Sequence, residues 1–262
     1  MSPCNELFGF EPDKSKNPAI AFDLEVNEYI KEIPWHKHRK GQLILALRGA
    51  VTCKVANSWW IAPPTSGIWI PSGIKHSNIP THNARLLFLF IEPGEAKLPF
   101  LPCTLAISPM MREMTIELAA SSSAHYMEDK RQHMITSLLL NEITLMPQEA
   151  LNFPVPDHPK IQAIAEILAE HPDDNRTIAQ WASHIALSER SLARLLLKET
   201  GLTFGQWRKQ LQLMIALREL ASGRPVQQIA EILGYESVTA FITMFKKAFG
   251  KTPAKYMTTR FK

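Results

Sequence analysis

The pattern of hydrophobic and polar positions changes twice along the chain. Between residues 19 and 107, short runs rich in β-branched and aromatic residues are separated by prolines and glycines, which predicts strands joined by turns. The predicted strands are 19–27, 42–47, 51–56, 67–70 and 85–91. Many short strands at this spacing are typical of a β-barrel or a β-sandwich.

After residue 107, apolar residues recur at intervals of three and four, which is helical spacing. Two helices are predicted, over 109–124 and 129–146. Their apolar positions are Met110, Met114 and Leu118 in the first and Ile135, Leu138, Leu139 and Ile143 in the second. Such faces need a partner. The sequence leaves open whether that partner is the barrel or a second subunit, in a homodimer formed through residues 109–146.

A proline-rich segment precedes the last third of the chain. Residues 147–159 contain four prolines, which interrupt a helix and favour an extended connector. We therefore divide the chain into a barrel (1–107), a helical coupling or dimerisation segment (108–147), a linker (148–157) and a helical domain (158–262).

The helical domain contains two similar segments, 178–201 and 226–250. Ser188, Leu192, Leu196, Lys198 and Gly201 recur 49 positions later as Ser237, Phe241, Phe245, Lys247 and Gly250, whereas Ala182 and Ala230 lie 48 apart. Each segment predicts a helix, a tight turn and a second helix capped by serine, with one extra residue in the second turn. Helices are also predicted over 158–171 and 203–221, the latter joining the two units.

Charge is distributed unevenly along the chain. Residues 1–156 hold 14 lysines and arginines against 15 acidic residues, whereas residues 176–262 hold 14 against 5. A basic region with two helix-turn-helix units is typical of a module that binds double-stranded DNA at two neighbouring major-groove sites.

The second helix of each unit supplies the predicted DNA contacts. With the leucines and phenylalanines of each helix facing inward, the predicted base contacts are Arg190, Ser191, Ala193 and Arg194 in the first unit and Val238, Thr239, Ile242 and Thr243 in the second. Arginine matches the acceptors of guanine, and methyl groups contact thymine. The predicted phosphate contacts are Lys198, Lys246, Lys247 and Lys251.

These features resemble the AraC/XylS family of bacterial transcription regulators over residues 158–260, most closely from Ala216 to Met257. The resemblance implies an α+β protein of two domains. An N-terminal cupin-like β-barrel followed by helices would sense a small-molecule effector, and a C-terminal all-α domain would carry two helix-turn-helix motifs joined by a long linker helix. It also implies regulation of nearby promoters and, in many members, dimerisation. The sequence does not decide between activation and repression.

Three residues depart from the family pattern. Ala193 has no polar group with which to read a base, Thr243 stands where some members have arginine, and Gln212 replaces a residue that is basic in many members.

A second group of polar residues lies within the predicted barrel. His36, His38, Gln42 and a histidine after a Pro-x-Gly turn, His76, resemble the metal-binding motifs of the cupin family, with Gln42 in the place of a glutamate. On one regular strand, residues 36, 38 and 42 would share a face. The group is consistent with a bound divalent metal, with an effector pocket, or with side chains that hydrogen-bond one another. An amide is a weaker ligand than a carboxylate for a divalent ion.

Two other functions compete with an effector-controlled regulator. One is a metal-dependent cupin enzyme with an accessory DNA-binding domain, and the other is an architectural DNA-binding protein whose barrel senses nothing. The regulator is preferred, with no enzymatic activity expected.

The remaining features of the sequence concern the cysteines and the cellular location of the protein. Cys4, Cys53 and Cys103 are widely spaced, which argues against a disulfide framework and favours buried thiols. The chain shows no signal peptide, and its longest apolar run, 86–91, is too short to span a membrane. A cytoplasmic, nucleoid-associated protein is expected.

Overall fold

The computed structural model describes residues 10–26, 32–64, 66–121, 129–149 and 151–259. The chain forms two compact units, one of Met1–Val55 with Trp60–Leu151 and one of Ala56–Trp59 with Asn152–Lys262. The first unit is built mainly of strands and the second mainly of helices, which is the α+β organisation predicted.

Antiparallel strands make up most of the first unit. They are β1 (Ala19–Glu25), β2 (Ile33–His36), β3 (Gly41–Arg48), β4 (Val51–Val55), β5 (Ser58–Ala62), β6 (Ser66–Ile70), β7 (His76–Pro80), β8 (Arg85–Ile91), β9 (Cys103–Ala106) and β10 (Gln148–Glu149). One sheet has the order β1-β8-β3-β6-β9-β10, and in the other β5, β4, β7 and β2 are neighbours. The predicted strands correspond to β1, β3, β4, β6 and β8. β2, β7, β9 and β10 are short or contain proline, and their sequences carry a weak strand signal. β5 is as long as β4 and contains two tryptophans, and the prediction missed it.

The two sheets enclose an apolar core, and β8 shows how the sequence builds it. Side chains alternate between the faces of a strand, so Leu86, Phe88 and Phe90 enter the core between the sheets. Leu87, Leu89 and Ile91 enter a second core on the opposite face. Because both faces of β8 are buried, its sequence is a continuous apolar run rather than an alternating one.

Two helices cover the outer face of the larger sheet. α1 (Pro109–Ala120) begins after the N-cap Ser108, and α2 (Lys130–Ile143) after the N-cap Asp129. The buried residues Met111, Leu118, Leu139 and Ile143 belong to the second core, so the barrel is a partner for one face of each helix. α2 ends at Ile143, three residues before the predicted end at 146. α1 ends at Ala120 and Ser121 is already extended, so the predicted end at 124 was also wrong, and residues 122–124 themselves lie outside the described residues.

The second unit contains β11 (Asn152–Pro154) and helices α3 (Pro159–Glu170), α4 (Ile178–His184), α5 (Glu189–Thr200), α6 (Phe204–Ala221), α7 (Val226–Ile232), α8 (Val238–Phe249) and α9 (Pro253–Thr259). The prediction found all of these helices except α9. The segment predicted as a linker, 148–157, includes β10 and β11, so its extended backbone is partly paired in sheets.

Two further observations bear on the sequence predictions. Cys53 and Cys103 are buried free thiols, and burial raises the pKa of both, that of Cys103 to about 11. They are therefore inert core residues, as predicted, whereas Cys4 lies outside the described residues. Among the helices that the structure describes, none has the length and apolar character needed to cross a bilayer.

Candidate nucleic-acid interface and sensing site

The two helix-turn-helix units are built by equivalent hydrogen bonds. In the first, the backbone N–H of Leu187 donates to the carbonyl of Ala182 at 2.8 Å, and in the second the N–H of Tyr235 donates to the carbonyl of Ala230 at 2.9 Å. The next helix is capped by Ser188 in one unit and Ser237 in the other. One residue separates Leu187 from the start of α5 and two separate Tyr235 from α8, so the predicted longer second turn is confirmed.

Each turn requires one residue in the left-handed region. Gly234 has φ 72° and Ala186, at the equivalent position 48 residues earlier, has φ 53°. A Cβ atom on Gly234 would also lie 2.9 Å from the Cα of Asp173. The second turn therefore requires glycine for both conformation and space, whereas the first turn accommodates an alanine at a cost in backbone strain.

The inward faces of the two units also correspond. Trp181, Ala182, Leu192 and Leu196 are buried in the first, and Ile229, Ala230, Phe241 and Phe245 are buried in the second. The interval is 48 residues before the turn and 49 after it. With these faces fixed against the core, the opposite faces of α5 and α8 are available to a partner.

On α5, the structure places two of the four predicted base contacts in full exposure. Arg190 and Arg194 are exposed, whereas Ser191 and Ala193 are half-buried. The Oγ of Ser191 accepts a hydrogen bond from the Ser188 hydroxyl at 2.8 Å, so its side chain already takes part in the helix cap. The exposed Leu197 follows Arg194 by three residues on the same face, and the prediction missed it.

On α8, Thr239 and Thr243 are exposed, and Val238 and Ile242 are half-buried. The hydroxyl of Thr243 donates to the carbonyl of Thr239 at 2.8 Å. At these four positions α8 therefore offers methyl groups and hydroxyl acceptors and no charge, a composition suited to thymine methyl groups rather than to guanine.

The predicted phosphate contacts lie toward the C-terminal ends of the same helices. Lys198, Lys246 and Lys247 are exposed, and Lys251 is half-buried. Lys198 lies 3.5 Å from the carboxylate of Glu199, an exposed pair that is weak because water screens it. The three exposed lysines are therefore accessible at the surface of the domain.

The linker helix α6 packs into this domain through a buried apolar face, formed as predicted by Phe204, Trp207, Leu211, Ile215 and Leu220. The amide nitrogen of Gln212 donates to the carbonyl of Leu233 at 3.1 Å, and its oxygen accepts from the hydroxyl of Tyr235 at 3.4 Å. Gln212 thus connects the linker helix to the second turn, which makes it a structural residue in this chain.

One supporting contact of the first unit has no signal in the sequence. The guanidinium of Arg176 lies 3.6 Å from the ring centroid of Trp181 and bonds the carboxylate of Asp174 at 2.8 Å. This hydrogen bonding lowers the pKa of Asp174. The stacked arginine covers the buried indole of α4 and thereby stabilises the helix on which α5 rests.

In the barrel, the four predicted residues converge. The ring-nitrogen ligand atoms of His36, His38 and His76 lie within 4.8 Å of one another, and all three rings are buried. The Oε1 of Gln42 lies 2.5 Å from Nε2 of His38 and 3.2 Å from Nε2 of His76.

The four residues reach this point from different elements. Residues 36, 38 and 42 do not lie on one regular strand, the condition under which they would share a face, because β2 ends at His36 and β3 begins at Gly41. His36 and His76 are paired across β2 and β7, and His38 lies in the connection before β3.

Burial determines the protonation of His36 and His76. Desolvation lowers the pKa of His36, and it lowers the pKa of His76 to about 3. These two imidazoles are therefore neutral at physiological pH. The cluster can accept a cation or hydrogen-bond a neutral ligand, and it contains no carboxylate.

The chain matches two family models. An AraC-like ligand binding domain matches residues 24–101, and a helix-turn-helix domain matches residues 181–259. The first covers most of the barrel strands together with the histidine cluster, and the second covers α5 and α8.

Individual relatives cover different shares of the chain. The HTH-type transcriptional regulator NimR of Escherichia coli is 48% identical over 251 residues, 96% of this chain and 92% of that protein. The arabinose operon regulatory protein of Escherichia coli is 25% identical over 49% of this chain and 46% of its own length. Among solved structures, fatty-acid-bound ToxT of Vibrio cholerae is 12% identical, with a TM-score of 0.39 over 91% of this chain and 93% of that one.

These relatives are transcription regulators, and nothing in the comparisons favours the alternative of a cupin enzyme. A ligand-binding domain precedes a helix-turn-helix domain here, in the order predicted from the sequence. With both domains matched and nearly the whole chain aligned to one such regulator, this protein belongs to the AraC/XylS family of DNA-binding transcription regulators.

Proposed function

We propose that this regulator reads two neighbouring major-groove sites with α5 and α8, and that the two helices use different chemistry. The observation that carries the proposal is the repeated, serine-capped helix with one buried and one exposed face. Helices presented in this way enter successive faces of the duplex, about one turn or about 34 Å apart on straight DNA.

α5 supplies the sequence-specific contacts in this proposal. Arg190 and Arg194 lie four residues apart, which is one helical turn, and both are exposed. Each guanidinium can donate two hydrogen bonds to O6 and N7 of guanine, and a good pair discriminates by about 1–3 kcal/mol. Ser191 and Ala193 lie between them in the sequence and are half-buried, and in this proposal their accessible atoms contact a base edge or a methyl group.

In this proposal α8 discriminates between bases less strongly than α5, because its predicted base contacts are uncharged. Thr239 and Thr243 offer methyl groups and oxygen acceptors, and Val238 and Ile242 flank them with apolar surface. Lys246 and Lys247 follow on the same helix and would bind phosphates on either side of the groove. The second site then contributes affinity and register more than base discrimination.

The test separates base readout from phosphate binding. In the full-length chain, Arg194→Ala should relax preference at one base position when sites are selected from random duplexes. Lys247→Ala should leave the preferred site unchanged, weaken binding to all duplexes alike, and flatten the dependence of log affinity on log salt by about one unit. Lys130→Ala, which removes an exposed lysine of α2 in the first unit, is the charge-matched control and should change neither quantity.

An unchanged selected site for Arg194→Ala would show that α5 does not read bases as proposed. An unchanged salt slope for Lys247→Ala would remove that lysine from the phosphate contacts. Because the two variants are measured on the same duplexes, each assignment stands or fails separately.

We further propose that the interior of the barrel senses the effector at His36, His38, Gln42 and His76. What supports this is the density of buried polar groups in an otherwise apolar core. The nearby Oδ1 of Asn78, two residues along β7 from His76, is buried without a hydrogen-bond partner in the described structure. Buried polar groups of this kind are costly unless a ligand satisfies them.

The homodimer is proposed to form through the exposed face of α2. Met134, Leu138 and Asn141 are exposed on α2, and together with the exposed Leu145 in the turn just after the helix they follow a 4-3-4 spacing. This is the spacing of a coiled-coil seam, and one asparagine in such a seam selects a register. A second copy of the same helix is therefore the partner that fits this face, and the protein's mass in solution tests it.

The location follows from the proposed partner. A regulator that reads duplex DNA works where the chromosome lies, so we place this protein in the cytoplasm in association with the nucleoid. Whether bound promoters are activated or repressed depends on where the sites lie, which the residues of this chain do not encode.

A further inference from the structure

A cavity lies at one edge of the larger sheet, between β1, the last turn of α1 and the first turn of α2. Its volume is about 280 Å³, close to the lower end of the range of about 300–1,000 Å³ that is usual for small-molecule sites. The four residues of the histidine cluster are not among its described walls. Those walls include Phe10, Ala21, Phe22, Leu118, Ala119 and Gln132.

Gln132 brings a polar side chain without a partner to this cavity. The residue lies in the first turn of α2 and is only 6% exposed. Its backbone N–H donates to the carboxylate of Asp129 at 3.2 Å, whereas its side-chain amide makes no hydrogen bond to any of the described residues. Such an amide is costly, because burial removes water from it without supplying another partner. A ligand that can both donate to this amide and accept from it would remove the cost.

The free edge of β1 contributes backbone groups to the same cavity. Among the described strands, β1 pairs with β8 alone. The carbonyl of Pro18 accepts a hydrogen bond at 2.8 Å at one end of this pairing, and the N–H of Val26 donates to Ala84 at 2.9 Å at the other. Because hydrogen-bonded positions alternate along an antiparallel strand, Ala19 and Ala21 direct their N–H and C=O groups away from β8. A ligand along this edge therefore meets a backbone donor and a backbone acceptor.

The other walls are mostly apolar, and none of the described wall residues carries a charge. The rings of Phe10 and Phe22 are stacked with their centroids 4.6 Å apart and provide an aromatic surface. Lys40 donates to the carbonyl of Asn17, a wall residue, at 2.8 Å, but its ammonium group is already paired with Glu92 at 2.6 Å. The cavity therefore offers no charge that would compensate for burying an ion.

We propose that this cavity binds a small uncharged molecule that carries one amide group on an aromatic or aliphatic body. The ligand amide pairs with the side chain of Gln132 and with the backbone edge at Ala21, since an amide both donates and accepts. The body of the ligand packs against the two stacked phenylalanine rings and Leu118. This site is distinct from the proposed sensing site at the histidine cluster and does not depend on it.

The experiment titrates the full-length chain, with isotope-labelled alanine methyl groups, with N-methylbenzamide and follows the methyl resonances by NMR. The aromatic ring of this probe should shift the methyl signals of Ala19, Ala21 and Ala119, which line the cavity. The signals of Ala46 and Ala62, which belong to the core between the sheets, should not move. Benzoate, which has a similar shape but a negative charge, should bind at least about 10-fold more weakly.

Two variants test the assigned contacts. Gln132→Leu keeps the size of the side chain and removes its amide, so N-methylbenzamide should bind about 10-fold more weakly while toluene binds no worse. Gln148→Leu, which removes an exposed glutamine of β10 outside the cavity, is the matched control and should bind as the native chain does. Ala119→Leu fills the cavity and should abolish the shifts at Ala19 and Ala21.

Shifts confined to Ala46 and Ala62 would place the probe inside the barrel and overturn the proposal. The absence of any shift would also overturn it, because the cavity would then hold only water or another part of the chain. Equal affinity of the Gln132→Leu and Gln148→Leu chains for N-methylbenzamide would remove the amide recognition that defines the ligand class. These measurements contain no DNA and change no residue of the histidine cluster, so their outcome is independent of the proposed base reading and of the proposed sensing site.

Discussion

Ala186 and Gly234 occupy the same place in the two turns, with φ of 53° and 72°. An alanine in the left-handed region costs roughly 1–2 kcal/mol because its Cβ crowds the following carbonyl oxygen. Glycine avoids that cost but loses about 0.5–1 kcal/mol in chain entropy. The first turn therefore stores strain that the second turn does not.

Exchanging the two residues should have opposite effects on stability. Ala186→Gly should raise the free energy of unfolding by about 0.5–1 kcal/mol, the difference between relieved strain and added entropy. Gly234→Ala should lower it by about 2 kcal/mol or more, because its Cβ would also meet Asp173 at 2.9 Å. Urea denaturation followed by the helical circular dichroism signal measures both. Destabilisation by Ala186→Gly would contradict the strain assigned to the first turn.

Residue identity predicted the histidine cluster but not its geometry. The pattern of His36, His38, Gln42 and His76 is visible in the sequence, whereas the carbonyl partners of each Nδ1 depend on the paths of the backbone between strands. Likewise, the stacking of Arg176 on Trp181 depends on the turn before α4, and a turn leaves no periodic pattern of apolar residues in the sequence. Contacts made by irregular backbone are the part that the sequence does not predict.

At the scale of elements, prediction succeeded where a segment is long or carries a cap. Ser188 and Ser237 mark the starts of α5 and α8, and both accept a backbone hydrogen bond in the structure. β2 and β7 were missed because Pro34 and Pro80 lie within them, and proline weakens a strand signal although it is tolerated at the end of a strand or at an irregular pairing. Whether these two segments form strands is determined by their pairing with distant parts of the chain, which the local sequence does not encode.

The helix α2 has two apolar faces, and only one is used within the chain. Leu139 and Ile143 are buried against the barrel, whereas Met134 and Leu138 remain exposed. A face of this kind on a water-exposed helix is stabilised when a second helix covers it. The sequence showed that α2 is apolar, but only the structure separates the face that packs inward from the face that remains available.

Leu138→Glu should therefore convert the proposed dimer into a monomer. Placing a charge in the centre of a helix–helix seam leaves it buried without a partner, which costs several kcal/mol per interface. Sedimentation equilibrium of the full-length chain measures the mass directly. Ser137→Glu adds the same charge at the adjacent exposed position, outside the 4-3-4 spacing, and should remain dimeric. A native chain that is monomeric at high concentration would exclude this interface.

At the scale of the whole molecule, two matched domains serve one regulator, and thermodynamics constrains how they communicate. If an effector changes the affinity for DNA by some factor, DNA must change the affinity for the effector by the same factor. This reciprocity holds whatever path connects the barrel to the helix-turn-helix units. It distinguishes a true sensor from an architectural protein whose barrel is a passive fold.

The reciprocity can be measured with any compound or ion found to bind the barrel. A ligand that raises the affinity for DNA tenfold should itself bind tenfold more tightly when the chain is saturated with its preferred duplex, and a ligand that lowers it tenfold should bind tenfold less tightly. Either factor corresponds to a coupling free energy of about 1.4 kcal/mol. Fluorescence anisotropy gives the first quantity and calorimetry the second. Gln42→Leu, which removes a polar group from the cluster, should abolish both shifts, while Arg194→Ala should weaken DNA binding and retain the coupling. If the ligand binds equally well with and without DNA, the barrel does not control the reader, because a ligand without differential affinity for two states cannot shift the balance between them.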